Sequence, residues 1–166
     1  MSQQLTLQPP ARAPKDSLRL ALDRLCAALE EPVPGNERQW AFGVNAALAG
    51  LEASVRLYRA ATRDMEGPFA EIDVTRPSLA RQADELRSQQ ECWLARILSL
   101  RQEVQQAEQA FQQTSERLAV PAGKTVCDFG EIRRNAEEIL AGLEENKETE
   151  SRLVLESVCT DIGAGD

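Results

Sequence analysis

Four polar residues that interrupt otherwise apolar helical faces are the side chains most able to take part in chemistry. Asn146 and Glu150 lie four residues apart, so they share one face of a helix. Gln90 interrupts a run whose apolar residues recur every three or four positions, and Tyr58 interrupts a second such run. If these residues lie at the same height along the bundle, a phenol, two amides and a carboxylate meet inside an aliphatic core.

The sequence contains no histidine. Its absence excludes histidine acid–base catalysis, the usual serine and cysteine triads, and the commonest transition-metal ligand. The sequence also contains no recognisable nucleophile–base pair, glycine-rich phosphate loop or zinc motif. A single core carboxylate beside amides and a phenol is a poor donor set for iron. We therefore expect no enzyme activity and no bound metal or cofactor.

The four polar residues have two interpretations. Polar residues on an inward face can set helix register and pairing, as one buried Asn does in a coiled coil, and some can reach water near a bundle end. Alternatively, polar groups that converge from facing helices can form a metal or cofactor pocket. In either case Glu150 needs donors from Tyr58, Gln90 or Asn146, or must be protonated, because an unpaired buried carboxylate is unfavourable.

The longest element that positions these residues is the run Leu79–Leu118, which contains no Gly or Pro. Its heptad spacing is typical of a long helix packed lengthwise in a bundle. An unbroken helix here would extend about 60 Å, so we expect its Gln-rich second half (Gln102–Gln113) to project beyond its neighbours or to break. Its inward apolar positions are Leu79, Ala83, Leu86, Trp93, Ile97, Leu100, Val104, Ala107, Phe111 and Leu118.

Three shorter runs predict the other helices. The inward positions are, in the first, Leu18, Leu22, Leu25 and Leu29; in the second, Trp40, Val44, Ala47, Leu51, Val55, Tyr58, Thr62 and Met65; and in the last, Phe129, Ile132, Ala136, Ile139, Leu143, Asn146, Glu150, Leu153 and Ser157. Short connections favour an antiparallel up-down-up-down four-helix bundle, a single all-α domain over residues 15–166. Residues 1–14 form a polar segment that we expect to be a disordered leader.

Local signals mark where these helices begin. Asp16 or Ser17 can cap the first helix, and Asp128 can cap the last. Asn36 resembles the first residue of a capping box completed three residues later. Phe69–Ile72 predicts a short helical turn before the long third helix, which Pro77 opens.

The net charge of −8 disfavours binding to nucleic acid, because an acidic surface repels phosphates. No segment approaches the length of apolar sequence that spans a membrane, and the N-terminus does not resemble a secretory signal. We therefore expect a cytoplasmic protein. The cysteines lack C-x-x-C spacing and are expected to be reduced, partly buried thiols, with Cys159 the best candidate for a redox-sensitive one: Cys26, Cys92, Cys127 and Cys159.

Short segments resemble those of the hemerythrin-like (HHE cation-binding) proteins. The segments Glu150–Glu156 and Thr160–Asp166 look like the C-terminus of that family. Phe69–Ile72, followed by Pro77-x-Leu79 and Leu86-Arg87, looks like its second-to-third helix connection, and Trp40 like the start of its second helix. The resemblance covers residues 40–166. It implies a four-helix bundle whose core holds a diiron centre, ligated by histidines and carboxylates on inward faces.

The resemblance also implies where the ligands would lie, and most are replaced in this chain. The family's His-x-x-x-Glu of the last helix falls on Asn146 to Glu150, so only the carboxylate is retained. Its Glu-His pair of the third helix falls on Gln89 and Gln90, and its helix-two histidine falls on Tyr58. Tyr58, Gln90, Asn146 and Glu150 therefore form a candidate vestigial pocket.

The sequence favours a non-enzymatic hemerythrin-like bundle that has lost the diiron site and acts as a structural or protein-interaction module. Its partner is an unidentified protein or a second copy of the chain. One alternative is a carrier or sensor that uses the remodelled pocket for a small molecule or a cation other than iron. Further alternatives are a diiron oxygen-binding protein with non-standard ligands and a coiled-coil adaptor unrelated to the family.

Overall fold

The computed structural model describes residues 13–30, 35–64, 67–116 and 128–159, and these are almost entirely helical. The expected all-α class is confirmed, and the described residues contain no strand. The turn predicted at Phe69–Ile72 is a short helix of its own, so five helices are described rather than four. They are α1 (Pro14–Glu30), α2 (Glu37–Arg63), α3 (Ala70–Thr75), α4 (Pro77–Glu116) and α5 (Phe129–Cys159).

Helix α1 begins before the cap that the sequence predicts. The backbone N–H groups of Asp16 and Ser17 both donate to the carbonyl of Ala13, at 3.0 Å. Pro14 opens the helix because its fixed φ suits the first turn and its missing N–H would have no partner there. The predicted cap at Asp16 or Ser17 is therefore wrong. Most of the predicted leader, residues 1–12, lies outside the described residues.

The capping residues predicted for α2 and α5 have opposite outcomes. Asn36 precedes α2 but makes no side-chain capping hydrogen bond, so the predicted capping box is wrong. Instead, the Glu37 carboxylate accepts from the N–H of Gly35, at 3.0 Å. At α5 the predicted cap is confirmed, because Asp128 Oδ1 accepts from the N–H groups of Gly130 and Glu131, at 3.0 and 3.2 Å.

Each of the four long helices contacts two of the others. Helix α1 packs on α2, α2 on α4, and α4 on α5, while α1 touches α5 more lightly and α3 lies on α4. Polar pairs accompany these contacts: Ser17 with Ser54, Asn45 with Glu108, Glu52 with Arg101, Arg59 with Glu91, and Arg96 with Glu138.

Helix α4 is continuous to Glu116, and it stays packed as far as Phe111. Val104 and Ala107 are buried, and the Phe111 ring stacks on Phe129 of α5 with centroids 5.6 Å apart. The expected projection or break of its Gln-rich half is therefore wrong over this range. Leu118 lies outside the described residues.

Between Gln90 and Ile97, the inward face of α4 departs from the predicted heptads at one position. Leu94 is buried at 6% exposure, whereas Trp93, the predicted position, is only partly buried. The predicted positions resume at Ile97 and continue through Leu100, Val104 and Ala107, all of which are buried, so the exchange of Trp93 for Leu94 is local. The Trp93 ring instead lies against α5, where a Cβ on Gly142 would overlap it.

Two apolar clusters make up the core. On α2, α4 and α5 a set of buried polar residues, called the polar level here, lies next to the larger cluster, and on α4 and α5 it separates the two clusters. The larger cluster includes Trp40, Leu51, Ile97 and Ile139, and it ends at Tyr58, Leu94 and Leu143. The smaller cluster consists of Phe69, Ile72, Leu79, Ala83, Leu86 and Leu153. The buried residues that fall between these boundaries on α2, α4 and α5 are Thr62, Gln90, Asn146 and Glu150.

Three of the cysteines, Cys26, Cys92 and Cys159, are free thiols with exposed side chains. The expectation that they are partly buried is wrong for these three, because each lies on an outward face of its helix. Cys127 lies outside the described residues. Within the described ranges, no helix combines the length and apolarity that crossing a bilayer requires.

Candidate functional site

All four residues that the sequence singles out are buried, three of them in the polar level and Tyr58 where this level meets the larger apolar cluster. Tyr58 is 4% exposed, Gln90 2%, Asn146 3% and Glu150 0%. Tyr58 comes from α2, Gln90 from α4, and Asn146 and Glu150 from α5. The structure brings Tyr58 and Glu150 into contact, whereas Gln90 and Asn146 have other partners.

Among the described residues buried in this level, Glu150 is the only carboxylate, and both of its oxygens have a neighbour. The Tyr58 hydroxyl donates a hydrogen bond to Oε2. The ammonium of Lys15, from the first turn of α1, lies 3.1 Å from Oε1. This second contact is an ion pair without the alignment of a hydrogen bond, because Oε1 has no hydrogen-bond partner. A carboxylate without solvent exposure is therefore compensated by one phenol and one ammonium.

The Tyr58 phenol remains a proton donor to high pH. Its burial, with the hydrogen bond and charge of Glu150, raises the pKa of Tyr58 well above its ordinary value. A neutral phenol beside a carboxylate donates a hydrogen bond and does not act as a base. This hydrogen bond links α2 to α5.

Gln90 bonds to Thr62 and keeps one end of its amide unbonded. Thr62 Oγ1 lies 3.0 Å from the Arg59 carbonyl and 3.1 Å from Gln90 Oε1, while Gln90 Nε2 has no partner. A hydroxyl carries one proton and cannot donate to both oxygens. With the amide turned over, Thr62 could donate to Arg59 and accept from Gln90 Nε2. One end of the amide is unbonded in either orientation.

Asn146 turns toward the edge of the level. Its Nδ2 donates to Oε1 of Gln89, an exposed residue, at 3.0 Å. Of the three donors expected for Glu150, Tyr58 supplies one, whereas Gln90 and Asn146 bond to other residues.

Sequence reasoning missed Lys15, although a signal for it exists. Lys15 lies three residues before Leu18 and seven before Leu22, so it continues the inward face of α1. A lysine in a first turn usually has a solvated head group, and the Lys15 side chain is indeed 57% exposed. Only the packing of α1 beside α5 brings its ammonium to the carboxylate.

The residues of the polar level do not fit a diiron centre. Iron sites in helical bundles draw on several carboxylates and histidines from facing helices. Here the side chains are one carboxylate, one phenol and neutral amides, which bind such metals poorly. Across the described part of the chain, no group of three or more His, Cys, Asp or Glu side chains could hold a metal ion. Lys15 already supplies the positive charge next to Glu150.

Comparison of the chain with protein-family models, with curated proteins and with solved structures finds no match.

Proposed function

We propose that this chain is a non-enzymatic hemerythrin-like bundle without a diiron site, and that it acts as a structural or protein-interaction module. The observation that carries the proposal is the filling of the polar level by the chain's own groups. Glu150, the one retained carboxylate, is engaged by Tyr58 and Lys15. A metal ion there would have to displace the ammonium and find ligands that the neighbouring amides supply poorly.

The proposed architecture is an antiparallel up-down-up-down bundle of α1, α2, α4 and α5. Paired residues support it, because their numbers rise on one helix as they fall on the next. Between α2 and α4 the pairs are Asn45–Glu108, Glu52–Arg101 and Arg59–Glu91. Between α4 and α5 they are Gln89–Asn146, Arg96–Glu138 and Phe111–Phe129.

Metal analysis tests the loss of the diiron site. The full chain is produced without a histidine tag in iron-supplemented medium, and its metal content and visible spectrum are measured. The proposal predicts no iron above trace level and no oxo-bridge absorption. Near-stoichiometric iron with that absorption would contradict it.

The outer face of α2 is the surface that best suits an interaction role. From 42 to 60, its exposed residues are Phe42, Ala46, Gly50, Ala53, Arg56, Leu57 and Ala60. Arg56 is the only charged residue among these, and it is paired with Glu52. The outer face of α5, by contrast, carries mostly charged residues: Glu131, Arg134, Glu137, Glu138, Glu144, Glu145, Glu148, Arg152 and Glu156.

The spacing on this face favours a second copy of the chain as the partner. The positions are symmetric about the Ala49–Gly50 peptide: Phe42 mirrors Leu57, Ala46 mirrors Ala53, and the half-buried Ala49 mirrors Gly50. In an antiparallel pair of α2 helices, Phe42 of each copy would lie beside Leu57 of the other. The open space in front of Gly50 would let the helices approach closely. A two-fold interface requires such self-complementarity.

The size of the face predicts a weak dimer. From 42 to 60 the helix is about 27 Å long and about 10 Å wide, so it buries roughly 270 Å² per copy, against about 800 Å² in a standard interface. Flanking side chains must add the rest, and we expect association to depend on concentration in the micromolar range or above.

Sedimentation equilibrium tests the dimer. The mass should rise from 18.3 kDa toward twice that value with concentration, and Leu57→Glu should abolish the rise. The matched control is Leu155→Glu on α5, because Leu155 is 63% and Leu57 58% exposed. A wild-type mass that stays at one chain, or equal effects of the two substitutions, would remove the case for self-association.

A further inference from the structure

The buried carboxylate of Glu150 has its counter-charge on a solvent-exposed residue. Its side chain is completely buried, yet its ionic partner is a lysine whose side chain is 57% exposed. Its other contact within the described residues, the Tyr58 phenol from α2, is neutral. The compensating charge therefore enters from the edge of the bundle, through the first turn of α1.

The chemistry of this place suits an ammonium ion better than a metal ion. A primary ammonium is a compact cation that needs oxygen acceptors rather than strong ligands. Glu150 Oε1 is a buried acceptor with no hydrogen bond, only the ion pair to Lys15. Buried polar groups with unused capacity are where an additional ligand gains most.

We propose that Glu150 forms a binding site for a primary ammonium group, which Lys15 fills from within the chain. When the Lys15 side chain is absent or withdrawn, the site accepts a small alkylammonium ion from solution. This inference depends only on the contacts of Glu150, and it holds whether or not the chain is related to the hemerythrin-like proteins.

The packing of α1 explains how the site could open. Helix α1 packs mainly on α2 and only lightly on α5. Lys15 lies in its first turn, before the first buried leucine, Leu18. Because the Lys15 side chain is 57% exposed, it can turn away from Glu150 while α1 stays packed.

Thermal unfolding of Lys15→Ala tests the proposal. Ethylammonium chloride should raise the melting temperature of this variant by several degrees more than potassium chloride or tetramethylammonium chloride at equal ionic strength. The wild-type protein, whose site is filled, should show no such difference. Neither should Lys15→Ala/Glu150→Gln, which lacks the negative charge. Lys147→Ala, which removes a partly buried lysine of α5, is the matched control and should resemble wild type.

The result that overturns the proposal is an equal response of Lys15→Ala to the three salts, or an ethylammonium effect that persists without Glu150. If Lys15→Ala is unfolded, it is refolded in each salt and its helical circular dichroism is compared. Recovery in ethylammonium alone supports the site, and equal recovery or none in all three salts contradicts it.

Discussion

The two parts of the core differ in what keeps their side chains buried. Around Leu48, Leu51 and Ile97 the side chains are apolar and completely buried, and they are held by contacts without direction. At Glu150 the burial is equal, but each polar atom depends on one partner, such as Tyr58 or Lys15. In the apolar part, the stability lost on substitution should therefore depend on the size and shape of the residue. In the polar level, it should depend on whether the bonding partner is left without its counterpart.

The largest effect should come from truncation in the apolar part. Leu51 is completely buried in the larger cluster, so Leu51→Ala should lower the free energy of unfolding by about 2–5 kcal/mol, through lost burial and the cavity left behind. Urea denaturation measures this. Leu51→Met, which nearly conserves volume, should lose less than about 1.5 kcal/mol. Equal losses for both would show that volume does not govern this part.

A smaller loss should follow when a partner is removed from the polar level. Lys15→Met leaves Glu150 buried without compensation, and we expect a loss of about 1–3 kcal/mol, less than for a fully buried pair because Lys15 is exposed to solvent. Replacing the whole set, as Lys15→Met/Tyr58→Phe/Glu150→Leu, should recover most of this loss in urea denaturation. A triple variant less stable than Lys15→Met would contradict the dependence on partners.

Gly142 and Gly43 test whether the space around a residue decides the effect of adding a methyl group. Both are helical glycines, and replacement by Ala should stabilise a helix by about 0.5–1 kcal/mol where space allows. A Cβ on Gly43 meets nothing within 4 Å, whereas a Cβ on Gly142 overlaps Trp93. Gly43→Ala should therefore stabilise the protein, and Gly142→Ala should destabilise it by about 1–2 kcal/mol and shift the Trp93 fluorescence. Stabilisation by both would mean that Trp93 moves aside freely.

Ionisation of Tyr58 should have the smallest effect on stability, because it lowers the free energy of unfolding only at alkaline pH. Because the folded-state pKa of Tyr58 is raised, its contribution is complete below the ordinary value of about 10 and is lost as the pH rises further. Tyr58 is the only tyrosine, so near-ultraviolet tyrosinate absorbance reports it directly. We expect it to ionise only with unfolding, and Tyr58→Phe should weaken the alkaline loss of stability. Ionisation near pH 10 in the folded protein would contradict its burial beside Glu150.

The sequence was sufficient to predict which faces of the helices are buried, because burial on one side repeats with the helical period. Ile132, Leu143 and Glu150 on α5 are examples, and all are buried as expected. Trp93 is the exception on α4, since Leu94 is the buried residue at that position instead.

The partners within the candidate site were not predictable to the same degree. Asn146 bonds to Gln89 rather than to Glu150, because the choice depends on rotamers that spacing does not determine. Lys15 continues the inward face of α1, but its contact depends on how α1 lies beside α5. The interpretation of the level as a vestigial metal site stays a prediction.

The most direct test of the claim that the chain fills its own polar level is a crystal structure of protein produced with iron, with anomalous data collected at the iron edge. The account predicts no anomalous peak among Tyr58, Gln90, Asn146 and Glu150, and the Lys15 ammonium in contact with Glu150 Oε1. An anomalous peak within coordination distance of Glu150, with Lys15 turned away, would contradict it.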